Sequence, residues 1–254
     1  QELDEFRARV KAGGQEYLEY LAQSCEDQCN KLVTVGKESR TLPVIEAFDR
    51  YCIEQMKSMT FLPLFPGVIE PIITEQLDMI VERYTTAEIP AEKLAAILQK
   101  PSKPYVTKQE VLARFKLGQL IQMDSVLLDA FKSSNEIAKF ALNEHPDIYA
   151  AFIQHITKFG WIEVRHFKGD SWSLEEVIER VRKVLGKDCA GEYENAQAEL
   201  RWQEQELLQV YHNLGFSTED RKVVQTIRDF IYLRTQRKDA MSEATYHMQW
   251  AFDE

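Results

Sequence analysis

The segment Thr218-Glu-Asp-Arg-Lys-Val-Val-Gln-Thr-Ile-Arg-Asp-Phe-Ile-Tyr-Leu-Arg-Thr-Gln-Arg-Lys-Asp-Ala-Met-Ser-Glu-Ala-Thr-Tyr-His-Met-Gln-Trp-Ala-Phe252 carries apolar residues at alternating intervals of three and four. That spacing lays one stripe along an α-helix and does not suit a strand. The expected buried face runs through Val223, Ile227, Ile231, positions 234 and 238, Met241, Thr245, Met248 and Phe252. Positions 234 and 238 are Arg234 and Lys238, with Arg237 adjacent. Two cations in the phase of an apolar stripe are costly unless they are paired or face a wet pocket. Three readings are open: an anion or phosphate site on a rigid helix, an ion-paired helix crossing, or a helix that leaves the core over those two turns.

Outward from this helix, the same periodicity covers nearly the whole chain, and strand alternation is scarce. The pattern predicts helices over 3–35, broken or kinked at Gly13-Gly14, then over 43–61, 68–84 and 90–98. Pro63 and Pro66 make the apolar segment from Phe61 to Gly67 read as a turn. Further helices are expected at 108–122, 135–143, 146–159, 174–185 and 191–214. Three starts carry a hydroxyl and a carboxylate three residues later, the reciprocal cap of a helix N-terminus: Thr107 with Glu110, Ser173 with Glu176, and Ser217 with Asp220. Gly160, Gly186 and Gly215 fall at expected helix ends. The fold class that follows is all-α, an irregular multi-helix bundle with one long aromatic-rich loop, Gly160 to Trp172. The expected organisation is a single helical domain over 1–254, with a sub-boundary candidate near 99–106 at Pro101 and Pro104. A first residue other than Met and an end in mid-pattern predict a fragment of a longer multidomain chain.

Composition narrows the function classes. Of 254 residues, 10 are Gly and 8 are Pro, so no glycine-rich phosphate cradle can be assembled. The formal charge of −10 argues against nucleic acid as a partner, because such binding draws on counterion release by a basic surface. No apolar run reaches the length of a membrane span. Cys25, Cys29, Cys52 and Cys189 show no pairing framework and fit small buried thiols in a reducing cytoplasm. Cys25 and Cys29 would be half a metal site at most, so no metal is expected.

The candidate chemistry gathers at two places. One is the cationic trio Arg234, Arg237 and Lys238. The other is the helix through Ile148, Phe152, His155 and Phe159, which delivers the chain into the aromatic loop. His155 suits a proton carrier or a phosphate contact, and equally a satisfied core histidine. Trp161, Arg165 and His166 add aromatic walls and cationic donors, a combination suited to a small-molecule pocket. The same aromatics would equally pin a long loop to its helices.

At these segments the sequence resembles a known family. His155-Ile-Thr-Lys-Phe-Gly-Trp161 and Phe167-Lys-Gly-Asp-Ser-Trp-Ser-Leu-Glu-Glu176 resemble a pattern in phosphoenolpyruvate-utilising enzymes of the phosphoenolpyruvate synthase-like and rifampicin phosphotransferase-like kind. Ile231-Tyr-Leu-Arg-Thr-Gln-Arg-Lys-Asp239 is similar to their "YLRxxRK" helix, and Leu98 to Glu110 to the Pro- and Ser-containing start of another. The resemblance covers about residues 98–252. It implies an all-helical central region, a substrate-binding or linker domain, set between an ATP-grasp module and a swivelling phosphohistidine domain. The "GGxxSHA" motif of the latter is absent, as are the ATP-grasp signatures. The chain is therefore expected to be part of a phosphotransferase of kinase or synthase type that is not catalytically complete alone. No cofactor is expected in this chain, although the parent enzyme would use ATP and Mg. The implied partners are a small-molecule or phosphorylated acceptor and the adjoining domains. In this reading His155, Trp161, Arg165, His166, Arg234, Arg237 and Lys238 line the substrate pocket, with cations neutralising phosphoryl charge. The competing readings are a non-catalytic helical interaction module and a stand-alone small helical enzyme using His155 as acid or base.

Overall fold

The computed structural model describes residues 2–163 and 170–252, and every regular element among them is helical. The order is α1 (Glu2–Glu38), α2 (Val44–Met59), α3 (Phe61–Leu64), α4 (Glu70–Tyr84), α5 (Ala91–Leu98), α6 (Val106–Gln122), α7 (Ser125–Lys132), α8 (Asn135–Asn143), α9 (Pro146–Phe159), α10 (Leu174–Arg182), α11 (Cys189–Asn213) and α12 (Thr218–Phe252). None is long and apolar enough to cross a membrane. The chain divides into two compact units, one of Gln1–Pro104 with Trp202–Glu254, the other of Tyr105–Arg201.

In the first unit, α1 and α12 run along each other and α2 packs on both. Gly14 takes φ 61° and ψ −153°, a conformation open to glycine, and breaks α1 at the expected Gly13-Gly14 step. Farther along, a Cβ on Gly36 would lie 2.9 Å from Ala244 Cα, so a bare glycine sets the approach of α1 to α12. Leu32, Ala47, Tyr51, Ala244 and Met248 fill the space below, and the Tyr51 hydroxyl meets Thr245 Oγ1 at 2.8 Å.

Two expectations in this unit are corrected. Phe61 to Gly67 is helical: α3 is followed by a π turn over Phe65–Ile69, which joins α4. Pro66 has no N–H for an i→i−4 bond, and the wider turn, in which Glu70 N donates to Phe65 O, absorbs the defect without ending the helix. The buried face of α12 is also rotated from the expected stripe. It runs through Ile227, Phe230, Leu233, Arg237, Ala240, Ala244 and Met248. Of the cationic trio, Arg234 and Lys238 are exposed and Arg237 is buried. At the start of α12, Ser217 Oγ accepts from Asp220 N at 3.0 Å as the spacing predicts. The return bond differs: Ser217 N donates to the Tyr84 hydroxyl, and Asp220 takes Tyr84 and Arg83.

The second unit packs α6 to α10 around Ile121, Leu127, Phe131, Phe152, Val177 and Val181. Its short helices are defined by caps. Asp124 accepts from Val126 N and Leu127 N to start α7, a helix the periodicity does not reveal. Ser134 caps α8, and Ser173 with Glu176 forms the expected reciprocal box on α10. Thr107 does not cap α6. The helix begins at Val106 after Tyr105, which leaves Glu110 free to turn inward.

Candidate functional site

Glu110 on α6 and His155 on α9 meet in the interior of the second unit. Pro146 opens α9 in its first turn, where a missing N–H costs nothing, and the helix carries Phe152, His155 and Phe159 on its buried face. His155 Nε2 is 3.2 Å from Glu110 Oε1, and Arg114 Nη2 is 3.3 Å from Glu110 Oε2. Their side chains are 1% exposed for His155 and 7% for Glu110, so the pair is sealed from solvent. His155 Nδ1 has no hydrogen-bond partner among the described residues. The imidazole lies 5.0 Å from the Phe159 ring and stacks at 20° on Trp172, centroids 6.2 Å apart.

Trp172 ties this buried pair to the loop. Its backbone N donates to Gly160 O at 3.2 Å, which closes the segment between α9 and α10 at its base. A Cβ at Gly160 would stand 2.6 Å from the Ile156 carbonyl oxygen, backbone that cannot turn aside as Ser171 Oγ can, so the close approach favours glycine. The Trp172 indole N–H donates to Glu163 Oε2 at 3.2 Å, and Arg180 lies 3.8 Å above the ring while binding Glu163 Oε1 at 2.7 Å. Trp161, also buried, donates its indole N–H to Lys158 O at 2.8 Å. The two tryptophans therefore hold the loop's ends, through contacts a sequence pattern cannot pair. Arg165 and His166 lie outside the described residues.

The cationic trio belongs to the first unit. Arg234 reaches Glu70 Oε1 at 3.3 Å. Arg237, 4% exposed, donates from Nη1 to Phe61 O at 2.8 Å and lies 4.5 Å above the Phe65 ring; its Nε has no partner among the described residues. Burial pulls its pKa down, against the favourable fields of Cys25, Cys29 and Glu70. Cys25 and Cys29 are free, buried thiols. The hydrogen bond from Cys25 holds the Cys29 pKa below the usual thiol value, with help from Arg237 and against burial, while donating that bond pushes Cys25 up. No group of three or more His, Cys, Asp or Glu among the described residues is placed to hold a metal ion. A groove of about 360 Å³ along α1 and α12 is lined by Glu19, Glu26, Asp229 and Lys222. Among its charged lining residues three are acidic and one is basic, a balance that disfavours a phosphoryl group.

The structure thus brings His155 and Trp161 into one unit with Glu110, Trp172, Glu163 and Arg180, and places Arg234, Arg237 and Lys238 in the other. Of the residues the sequence reading passed over, Glu110 is the most consequential. Its spacing from Thr107 reads as a cap partner, which conceals its pairing with His155. No family model, curated protein or solved structure matches the chain.

Proposed function

We propose that this chain is a non-catalytic helical scaffold within a phosphoenolpyruvate-utilising, phosphotransferase-like enzyme. In this reading it is the linker or substrate-side helical region, and phosphoryl transfer takes place on modules outside it. The observation that carries the scaffold half is the sealed state of His155. A general acid or base must come within hydrogen-bond reach of a reacting group. His155 faces Glu110, Phe159 and Trp172, and its side chain is 1% exposed. The described residues of the resembling motif act on the backbone: Gly160 and Trp172 close the loop, Trp161 caps Lys158 O, and Ser173 with Glu176 starts α10. The family half rests on the sequence resemblance over residues 98–252.

Two measurements test the two halves separately. The parent reading frame on either side of the chain should encode a "GGxxSHA" phosphohistidine segment; stop codons flanking this length would overturn the family half. Phosphorus NMR of the chain with phosphoenolpyruvate, adenine nucleotides and Mg²⁺ should show no turnover. Turnover that disappears in a folded His155→Ala variant would overturn the scaffold half in favour of a stand-alone enzyme.

A further inference from the structure

Cys25 and Cys29 lie one turn apart on the buried face of α1, 1% and 2% exposed, and both thiols are free. Gln15 bonds Thr226 and Gly36 meets Ala244, so α1 and α12 run parallel in a steady register that sets Cys29 level with Arg237. The charge of Arg237 acts on both sulfurs. The guanidinium is buried, its Nε has no partner, and among the described residues no carboxylate pairs with it. Glu70, the acid on that side, takes Arg234 at 3.3 Å. A buried cation held only by the Phe61 carbonyl and the Phe65 ring lacks the counter-charge its burial calls for. The groove of about 360 Å³ adjoins this place, lined by Glu19, Ala22, Glu26, Asp229 and Leu233 among others. Ala22 precedes Cys25 by three residues and Leu233 precedes Arg237 by four, so the groove ends one turn from the thiols.

We propose that Cys25 and Cys29 form a two-coordinate thiolate site for copper(I), with Arg237 as its counter-ion and the acidic groove as its approach. Thiolates are soft ligands and select copper(I) among the common metal ions. Zinc takes four ligands, and among the described residues no third His, Cys, Asp or Glu joins the pair. Cβ atoms four residues apart on a helix stand about 5–6 Å apart, and a metal–thiolate bond is about 2.3 Å, so one ion spans both sulfurs without moving the backbone. Binding replaces two S–H bonds by two S–Cu bonds and releases two protons; the copper stays monovalent and no electron is transferred. Charge selects the same ion. Two thiolates with one monovalent cation carry a single negative charge, which Arg237 neutralises. A divalent ion would leave the unit neutral and the buried guanidinium still uncompensated. At the approach, Glu19, Glu26 and Asp229 outnumber Lys222, so the groove draws a cation toward the thiols.

Titration of the whole reduced chain, without oxygen, against copper(I) held by the coloured chelator bicinchoninate tests the proposal. The chain should withdraw one copper(I) from the chelator, and X-ray absorption should show a shell of two sulfurs. Cys25→Ala and Cys29→Ala should each abolish the withdrawal while circular dichroism stays unchanged. Cys29→Ser, which keeps the shape of the side chain, should do the same, so the loss is separated from any repacking. Arg237→Met should keep the fold and weaken copper binding by about tenfold or more, as loss of a supporting group around a metal does. Cys52→Ser, at the half-buried cysteine of α2, should bind as the parent does. No copper drawn from the chelator, a shell containing nitrogen, binding indifferent to Cys29→Ala or to Arg237→Met, or binding lost in Cys52→Ser would each overturn it.

Discussion

Glu110 Oε1 and His155 Nε2 stand 3.2 Å apart beneath the loop closure, both side chains buried. Breaking a buried pair of this kind by removing one member costs about 3–5 kcal/mol, because the partner is left without compensation. Glu110→Ala should therefore destabilise the chain by about that amount, read by urea unfolding. The double variant Glu110→Leu with His155→Phe should recover part of the loss, since the imidazole no longer needs a partner while Arg114, 20% exposed, is left to turn to solvent. Strictly additive losses would show that the two residues do not act as a pair.

Arg237 presents the opposite case. It is buried and bonds Phe61 O, with an aromatic face for company. Replacing a buried ion by an apolar side chain of similar volume is often neutral or stabilising. Arg237→Met should accordingly change stability by no more than about 1 kcal/mol in the unfavourable direction. Arg237→Ala, which opens a cavity, should cost about 2–4 kcal/mol. Equal large losses in the two variants would mean that the charge itself is required there.

The contact of α1 with α12 at Gly36 should tolerate no side chain. Gly36→Ala places a methyl 2.9 Å from Ala244 Cα and 3.0 Å from Ala244 O. Backbone cannot yield as a side chain does, so overpacking of about 1–3 kcal/mol is expected as a lowered melting temperature. An unchanged melting temperature would mean that the two helices part without cost.

Two half-buried groups of opposite effect shape the pH response of the first unit between pH about 4 and 6.5. Burial, aided by Glu243 and opposed by Lys238, raises Asp239 to about 6. The folded state then binds its proton more readily than the unfolded chain, and stability falls as pH rises from about 4 to about 6. Burial, together with Lys37 and Arg40, lowers His247 to about 4. Here the unfolded chain binds the proton first, and stability falls as pH drops from about 6.5 to about 4. The two slopes oppose each other over that window. Asp239→Asn should remove the first, adding about 1–2 kcal/mol at neutral pH and exposing a rise of stability between pH about 4 and 6. Denaturant midpoints across pH check this; parallel curves for the variant and the parent would contradict it.

These results show where sequence reading reached and where it stopped. Helix periodicity made α12 legible as a helix, and Ser173 with Glu176 marked the start of α10, because both are local signals. The rotation of α12 was not legible. Val223 and Ile231 suggested one buried face, but Phe230 and Leu233 compete for it, and Arg237 can be buried because Phe61 O and Phe65 receive it from more than 170 residues away. The π turn was hidden because two prolines ordinarily end a helix. The partner of His155 was hidden for the same reason as that of Arg237: Glu110 lies 45 residues upstream and carries a local signature of its own. The two cations read in the apolar phase, Arg234 and Lys238, are exposed, and the buried one, Arg237, lies outside that phase, where only its long-range acceptors could have located it.

The most direct test of a structural His155 is site-resolved labelling of the native chain by diethyl pyrocarbonate, followed by mass spectrometry. His212 is exposed and should label quickly, whereas His155 should label only as fast as its unit unfolds. Labelling of His155 at the rate of His212 would place it within reach of solvent and substrate, and would contradict the scaffold reading.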